Sequence, residues 1–440
     1  MTTPLPKVIF QDADAQTAPG SSNKHVSVDP EGNHLVDLEF IEEPLGVTAE
    51  QGQGFLRVEF GEAIGPDSRY EVARKLGWGM NSSIWLALDR KENKYVAIKA
   101  LKGYATNLAK RGITWELPAL ERIASEPPPA EFKSTHWPRL LDHFVHPGSG
   151  EDGEHLCLVT DVLGGDVEEL QVKVAKKKGL PLPLAKRILL HTLRGLFHLH
   201  SCSIVHTDLK HDNIMFDLGS QTQADIAALL KADPSRRHPP EESWNCTVEA
   251  AVSQPLPLPS LSDAMKRTYL VSDLGCAQPS NVHTFEAVTT PVLRAPELVL
   301  KGPWNEKVDI WAFGCLIFEL LTRRSLFVYR PEGDVDAEMS HLWQILAFTC
   351  ERMKREQVEA SKLGTQYFNI PADPSGTFCK LKRLIVRDRP FSELLKEYKV
   401  LSEEEVIATA RIMQRCLRLD PKDRATAKEL LRDPWWQVIE

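Results

Sequence analysis

Two short polar segments of the chain carry side chains whose types and spacing suit phosphoryl transfer. Residues 204–213, with the sequence IVHTDLKHDN, place an Asp, a Lys two positions later and an Asn five positions later in one stretch. Residues 272–275, SDLG, add a second Asp beside a glycine. Phosphoryl transfer needs a group that orients the incoming hydroxyl, cations that offset phosphate charge, and oxygen ligands for magnesium.

These side chains divide naturally among the roles that the reaction requires. Asp208 is predicted to orient the hydroxyl and accept its proton, and Lys210 is predicted to offset charge on the transferred phosphate. Asn213 and Asp273 are predicted to hold magnesium ions. A single Asp in a loop is usually solvated or caps a turn. Four such groups in this order argue for a catalytic site.

A second set of residues, earlier in the chain, is suited to binding phosphates. Gly77 and Gly79 lie between two strand-like runs, and glycines there let backbone N–H groups approach phosphates closely. Lys99 ends the apolar run VAIK at residues 96–99. A lysine at that position is costly unless its ammonium meets anions or reaches solvent. Each feature alone is weak, but together they predict a nucleotide site.

Glu116 is the predicted carboxylate partner of Lys99. Pro118 complicates the assignment, because a proline inside a helix removes a hydrogen bond and kinks the helix. The helix therefore either begins late, or Glu121 is the partner.

Composition limits the class of protein. The 440 residues are 42% hydrophobic and 26% charged, as in ordinary globular proteins, and a net charge of -8 argues against nucleic acid as the main partner. Eight cysteines without a CxxC pair suit reduced thiols in the cytoplasm or nucleus. We find no secretory leader, and residues 308–321 predict a buried helix rather than a membrane span. We expect a monomer.

The order of the predicted elements divides the chain in two. We predict a flexible segment over residues 1–50, a strand-rich small lobe over 51–163 and a mainly helical large lobe over 164–440. The large lobe is predicted to contain a proline-rich insertion over 217–268.

Apolar periodicity predicts the individual elements. Strands are expected over 70–89, with a glycine-containing turn between them, over 94–101 and over 156–162. Helices are expected over 114–124 and 184–200.

From about residue 70 to 436 the chain resembles eukaryotic protein kinases. Residues 294–297 (RAPE) and 309–314 (DIWAFG) match two further motifs of that family, and Arg424 stands where the family's late Arg pairs with a Glu, here Glu297. The resemblance implies a bilobal α+β fold, ATP as the phosphate donor and Mg²⁺ as the cofactor. It makes Lys99, Glu116, Asp208 and Lys210 the catalytic set.

The resemblance also implies which groups surround the nucleotide. Two glycines and a serine form the phosphate loop, apolar side chains enclose the adenine, and two residues offer backbone hydrogen bonds. These residues, with the phosphate-binding lysine, are Leu76, Gly77, Gly79, Ser82, Ile84, Ala97, Lys99, Asp161, Leu163 and Met215.

Within that family the chain is most similar to the serine/arginine-rich protein kinases, in particular their fungal members. The shared features are residues 74–79 (RKLGWG) with Ser82 in place of a third glycine, Thr207 in place of an arginine, DLG at 273–275, and the insertion. This resemblance implies Arg/Ser-rich substrates of the splicing type. A related kinase with another substrate, or a scaffold that has lost catalysis, is the alternative.

Thr207 has a regulatory implication. The arginine usual at this position binds a phosphate on the activation segment, which a neutral threonine cannot do. We therefore expect activity without phosphorylation of that segment. Pro291 and Asn81 depart from the family pattern and leave the peptide preference open, and the acidic residues 332–338 are a candidate docking site for arginines.

Overall fold

The computed structural model describes residues 7–10, 24–28, 34–129, 132, 134–176, 178–244, 246–373 and 375–436. Its contacts divide these residues into two compact units. The first contains the described residues up to Leu117, Arg139–Gly164 and Leu218–Pro257, and the second contains Pro118–Pro138, Gly165–Asp217 and the rest of the chain from Leu258.

A six-stranded antiparallel sheet forms the framework of the first unit. Nearly continuous burial along its central strands places Trp85, Ile98 and Val159 in the interior of the unit, as expected for strands covered on both faces. In spatial order the strands are Ala63–Ile64, Tyr70–Gly79, Ser82–Asp89, Lys94–Leu101, Glu154–Thr160 and Leu140–Pro147.

A three-stranded sheet precedes this framework. Strand His34–Phe40 lies between Lys7–Phe10, to which it is parallel, and Lys24–Val28, to which it is antiparallel. Residues 1–6, 11–23 and 29–33 lie outside the described residues, and there the predicted flexibility of 1–50 stays a prediction. From residue 37 onward the segment differs from that prediction, because Leu38 and Phe40 alternate with polar residues and are buried against Val47.

The insertion has more structure than its proline content suggests. Helix Gln223–Ala232 begins at a capping box formed by Thr222 and Asp225, and its Ile226 is buried with Leu86 of the six-stranded sheet. A short strand pair, Glu241–Glu242 with Thr247–Val248, follows. Leu218–Pro257 thus belong to the first unit, whereas the prediction placed the whole insertion in the helical lobe. Apolar contacts of the inserted helix with the sheet account for the difference.

The second unit is built around helices whose apolar faces meet in one core. Helix Lys307–Thr322 is buried along residues 308–322, which confirms the predicted buried helix. The longer helices of this unit are Leu182–Ser201, Lys307–Thr322, Ala337–Thr349, Phe391–Tyr398 and Glu403–Cys416. The shorter ones are Val167–Glu169, Leu261–Ala264, Pro296–Val299, Arg355–Glu359, Gly364–Tyr367 and Ala427–Leu430.

Short antiparallel strand pairs and two remaining α-helices complete the described strands and α-helices. In the second unit Ile204–Val205 pairs with Gln278–Pro279, Ile214–Phe216 with Tyr269–Val271, and Phe368–Asn369 with Lys380–Leu381. Helix Gly103–Lys110 belongs to the first unit. The first two residues of helix Glu116–Ser125 belong to the first unit and the rest of that helix to the second. None of the described helices combines the length and apolar composition that crossing a bilayer requires.

The predicted α+β class, with a β-rich first unit and a helical second one, is confirmed. Strand Lys94–Leu101 has the predicted bounds, and helix Leu182–Ser201 exceeds its prediction slightly. The predicted hairpin over 70–89 turns at Met80 and Asn81.

A buried ion pair joins distant parts of the second unit. The Arg424 guanidinium donates to both carboxylate oxygens of Glu297, at 2.8 and 3.1 Å, as the resemblance implied. Arg424 is 1% exposed and also donates to the backbone oxygens of Arg418 and Lys307. Removal of one partner would leave the other buried and unpaired, which is far more costly than breaking an exposed pair.

Substitution Glu297→Ala should therefore lower the free energy of unfolding of the second unit by about 3–5 kcal/mol. The matched change Glu397→Ala removes a carboxylate from an exposed pair with Arg389 and should cost less than about 1 kcal/mol. Urea denaturation followed by circular dichroism measures both values. Equal losses for the two variants would contradict this interpretation of the buried pair.

Candidate active site

In the first unit, Lys99 lies at the centre of the sheet and pairs with a helix carboxylate. Lys99 is paired with Ile84 on one neighbouring strand and with Leu158 on the other. The Lys99 Nζ atom donates to Glu116 Oε1 at 2.6 Å, and the Glu116 side chain is almost buried. This is the ion pair that the sequence predicted.

The position of Pro118 explains why Glu116 is available for this contact. The helix begins at Glu116, so Pro118 lies in its first turn, where backbone N–H groups have no intrahelical partner. A proline there removes no hydrogen bond. Glu121, the alternative partner, lies on the exposed side of the same helix.

The glycine-containing turn connects the first two long strands. Gly77 faces Ile84 and Gly79 faces Ser82. A Cβ atom added at either glycine would meet nothing within 4 Å, so the backbone there is open to an incoming group. Open backbone with free space above it is the form that phosphate-binding loops take.

The remaining predicted nucleotide groups of the first unit lie along the same strands. Leu76 lies at an irregularity of its strand, between Lys75 and Gly77, and Ala97 faces Thr160. Asp161 forms an ion pair with Arg139, with both N–O distances at 3.0 Å, and Leu163 is half-buried. Met215, predicted to contact the same adenine, belongs to strand Ile214–Phe216 of the second unit.

Residues 204–213 of the second unit form the loop with the candidate catalytic side chains, hereafter the catalytic loop, and one buried carboxylate holds this loop in place. Asp309 accepts the backbone N–H groups of His206 and Thr207 at 2.8 and 2.9 Å, and it also contacts His200 Nε2 at 2.9 Å. Thr207 adopts a positive φ of 65°, which is unfavourable for a β-branched residue. The charged hydrogen bonds from Asp309 offset that strain and fix the residue that precedes Asp208.

Asp208, Lys210 and Asn213 lie together as predicted from their spacing. Lys210 Nζ is 3.1 Å from Asp208 Oδ2, while Asn213 Nδ2 donates to Asp208 O at 2.8 Å and to Asp208 Oδ2 at 3.2 Å. Burial favours neutral Lys210, but the charge and hydrogen bond of Asp208 outweigh it and raise the pKa of Lys210. Lys210 therefore keeps its positive charge beside the carboxylate.

Backbone pairing brings Asp273 to the end of this loop. The strand after Asn213 pairs with Tyr269–Val271, and Ser272 N donates to Asn213 O at 2.9 Å. Asp273 follows in the left-handed conformation, with a φ of 58°, and is exposed. The pairing of the two strands thus places two side chains with oxygen atoms, the Asn213 amide and the Asp273 carboxylate, next to the same end of the strand pair.

This donor set fits magnesium. Mg²⁺ usually binds one or two protein carboxylates and completes its shell with water and substrate phosphates. Among the described residues no group of three or more His, Cys, Asp and Glu side chains is arranged to hold a metal ion.

The activation segment, which follows Asp273, is fastened by uncharged groups. The buried Gln278 side chain accepts the N–H groups of Thr284 and Phe285 at 2.7 and 3.3 Å and donates to the oxygen of Phe285. Thr207 Oγ1 donates to Cys276 O at 2.7 Å. No sequence signal identified Gln278, because a single glutamine in a loop has no characteristic spacing.

Further contacts join the segment to other parts of the second unit. Thr289 Oγ1 donates to Thr207 O at 2.6 Å, and Thr290 Oγ1 lies 3.4 Å from Asp208 Oδ1. His283 stacks on Trp304 with a centroid separation of 3.5 Å.

Acidic side chains surround the catalytic loop. Glu168 contacts His211 Nε2 at 2.7 Å and also pairs with Arg323. Asp212, about half exposed, lies four residues after Asp208. Burial, together with the nearby Glu169, Asp212 and Glu168 carboxylates, raises the pKa of Asp166 to about 7. No sequence signal identified these carboxylates, and the predicted docking site for arginines was the acidic stretch 332–338.

The acidic stretch at 332–338 is largely occupied with local structure. Asp336 accepts the N–H of Met339 at the start of a helix, and Glu338 accepts the Tyr329 hydroxyl at 2.6 Å. Glu332 and Asp334 remain exposed.

Comparisons with known proteins agree with this geometry. The family described as "Protein kinase domain" matches residues 70–231 and 261–436, so the intervening residues interrupt the match. The chain is 29% identical to "Serine/threonine-protein kinase SRPK" of Physarum polycephalum, over 87% of this chain and 88% of that protein. It is 26% identical to "Protein kinase dsk1" of Schizosaccharomyces pombe, over 95% and 89% of the two chains. It is 34% identical to "SRSF protein kinase 3" of Mus musculus, over 45% and 34%.

Proposed function

The chain belongs to the protein kinase family as a serine/threonine-protein kinase, and we propose that it transfers the γ-phosphate of ATP to serines of Arg/Ser-rich proteins in the cytoplasm or nucleus. The observation that carries the proposal is the geometry of the catalytic loop, in which Lys210 and Asn213 both contact the Asp208 carboxylate. Each of these groups matches a step of the transfer.

Asp208 orients the serine hydroxyl and accepts its proton while the serine oxygen forms a bond to the γ-phosphorus. The bond from that phosphorus to the β-phosphate oxygen breaks, and ADP leaves. Lys210, positively charged beside Asp208, offsets the charge on the phosphoryl oxygens during the transfer. The Asn213 amide holds the Asp208 carboxylate in position through its hydrogen bond.

Lys99 binds phosphate oxygens of the nucleotide. Glu116 keeps the long lysine side chain in one orientation, because their ion pair is short and the carboxylate is almost buried. The open backbone at Gly77 and Gly79 supplies N–H donors to the same phosphates. Leu76, Ile84 and Ala97 of this unit contact the adenine, and Asp161 and Leu163 offer it backbone hydrogen bonds. Ser82 closes the phosphate loop.

Asn213 and Asp273 are the residues that would hold magnesium. Magnesium held there would supply positive charge to offset the negative charge of the phosphates during the transfer. The Asn213 amide donates through its nitrogen to Asp208, so its oxygen is the atom suited to a metal.

The acidic groups beside the loop support an arginine-containing substrate. Asp166, Glu168 and Asp212 are neighbouring carboxylates of the second unit, and the last two contact His211, three residues after Asp208. An arginine guanidinium binds carboxylates in a planar, two-pronged geometry. In a substrate serine flanked by arginines, Asp208 is therefore the partner of the hydroxyl and these carboxylates are the partners of the arginines.

Asp208→Asn should lower kcat at least 1,000-fold while the affinity for ATP changes less than about threefold, because the variant loses the proton acceptor and keeps the loop's hydrogen-bonding shape. Phosphate transfer from labelled ATP to an Arg/Ser peptide measures kcat, and displacement of a fluorescent nucleotide measures affinity. Equal turnover by wild type and variant would mean that the chain acts as a scaffold and not as a catalyst.

Phosphatase treatment of the purified protein should leave its activity unchanged within about twofold. Thr207 carries no charge with which to bind a phosphate, and Gln278 holds the activation segment through backbone hydrogen bonds. Gln278→Ala, in contrast, should lower kcat whether or not the protein is phosphorylated. Loss of activity on phosphatase treatment, restored by incubation with ATP, would contradict this regulation.

Asp212→Asn should reduce kcat/KM for an Arg-flanked serine peptide about threefold to fivefold, the value of one partly exposed ion pair. For the same peptide with alanines in place of the arginines, Asp212→Asn should reduce kcat/KM much less. Glu404→Gln, an exposed carboxylate of helix Glu403–Cys416, is the matched control. If Asp334→Asn reduced arginine preference and Asp212→Asn did not, residues 332–338 would be the docking site.

A further inference from the structure

Two adjacent cationic residues are buried on the strand that leads into the glycine-containing turn. Arg74 is 1% exposed and Lys75 is fully buried. They face Leu86 and Trp85 on the neighbouring strand, between two irregularities of the pairing, and as consecutive paired residues they point to opposite sides of the sheet. Both faces of the sheet are therefore covered at this point, two residues before Gly77.

The cover over Lys75 contains two carboxylates from the N-terminal segment. Lys75 Nζ donates to Glu42 Oε2 at 2.9 Å, to Glu43, and to the Ala251 backbone oxygen at 3.2 Å. Ser253 donates to Glu42 from its N–H at 2.8 Å and from its hydroxyl at 2.7 Å. Two segments about 200 positions apart thus meet at one ammonium group.

The cover over Arg74 comes from the insertion. The Arg74 guanidinium donates to the Asp233 backbone oxygen and lies 3.6 Å from its carboxylate. Gln254 donates from its side chain to Asp233 Oδ2 at 3.0 Å and from its backbone to Lys75 O at 3.0 Å. The insertion is therefore bonded to both cationic residues of the strand.

The turn itself carries a matching apolar contact. Trp78, the residue between the two glycines, meets the ring of Phe55 edge to face at 6.3 Å. Leu45 of the N-terminal segment and Val248 and Ala250 of the insertion complete the cluster. Both segments thus contact the turn as well as the strand that supports it.

The two segments lie outside the parts of the chain that match the family, 70–231 and 261–436. We infer that they form a clamp, made by Glu42, Glu43 and Ser253 around Lys75, that positions the glycine-containing turn for the phosphates of ATP. Lys75 is a positioning residue, because it acts through the backbone of Leu76 and Gly77. The inference rests on the proposed kinase function and adds to it a source of nucleotide affinity.

The physical basis of the clamp is the high cost of an unpaired buried charge. If either segment moved away, Lys75 would lose partners without gaining water, so the strand and both segments move together. A turn held in its phosphate-binding form loses less conformational freedom when ATP binds. The clamp should therefore act on the affinity for ATP and much less on the transfer step.

The test is a neutral double variant, Lys75→Met with Glu43→Gln, in the full chain. It removes the ammonium and one carboxylate, and it leaves Glu42 with its hydrogen bonds from Ser253. We expect the Kd of ATP, from displacement of a fluorescent ATP analogue, and the KM of ATP to rise about tenfold, with kcat at saturating ATP within twofold of wild type. Glu71→Gln, an exposed carboxylate on the same strand paired with Arg90, should change neither constant.

A lower melting temperature with unchanged Kd and KM for ATP would overturn the inference, because a purely structural cluster affects stability alone. If the double variant does not fold, Ser253→Ala removes a single hydrogen bond to Glu42 and should raise the Kd about twofold, and an unchanged Kd there has the same meaning. The binding assay needs no turnover. Wild-type protein that binds ATP without transferring phosphate would thus contradict the proposed function while the clamp is still tested.

Discussion

The catalytic loop depends on the Asp309 carboxylate more than on any other single group. Two successive backbone N–H groups point at it, and one of them belongs to Thr207, whose positive φ a β-branched residue rarely adopts. The carboxylate is buried in the first turn of helix Lys307–Thr322, so the rigid core helix fixes the loop directly. Asp208 is the next residue, and its direction follows from this constraint.

Buried charges serve a related purpose elsewhere in both units. A buried ion pair is a poor source of stability, since desolvation consumes most of its Coulomb energy, but its partners can hardly separate. The Arg424–Glu297 pair fixes distant segments of the second unit in this way. Glu42 and Glu43 fix Lys75 in the first. Burial raises the pKa of Glu43 although the Lys75 charge opposes it, whereas for Glu42 the Lys75 charge and the Ser253 hydrogen bonds outweigh burial and lower the pKa.

The sequence predicts what local spacing encodes and little else. Asp208, Lys210 and Asn213 lie within six residues, so one loop conformation brings them together, and a short run rich in apolar and β-forming residues predicts strand Lys94–Leu101. The partners of Lys75 lie 32 and 33 positions before it and 176 positions after it, and no periodicity connects them. Gln278 escaped prediction because its hydrogen bonds go to backbone groups, which every sequence offers.

The acidic groups near Asp208 also bear on how a substrate is selected. Glu168 already contacts His211 and Arg323, so an incoming arginine exchanges one cation for another and gains little from that carboxylate alone. Asp212 is more exposed, and an ion pair there is worth about 1 kcal/mol or less. A single arginine therefore increases the affinity of a peptide only weakly. Under the proposed function, several arginines on one substrate would increase its local concentration at the site, so selectivity would come from many weak contacts rather than from one deep pocket.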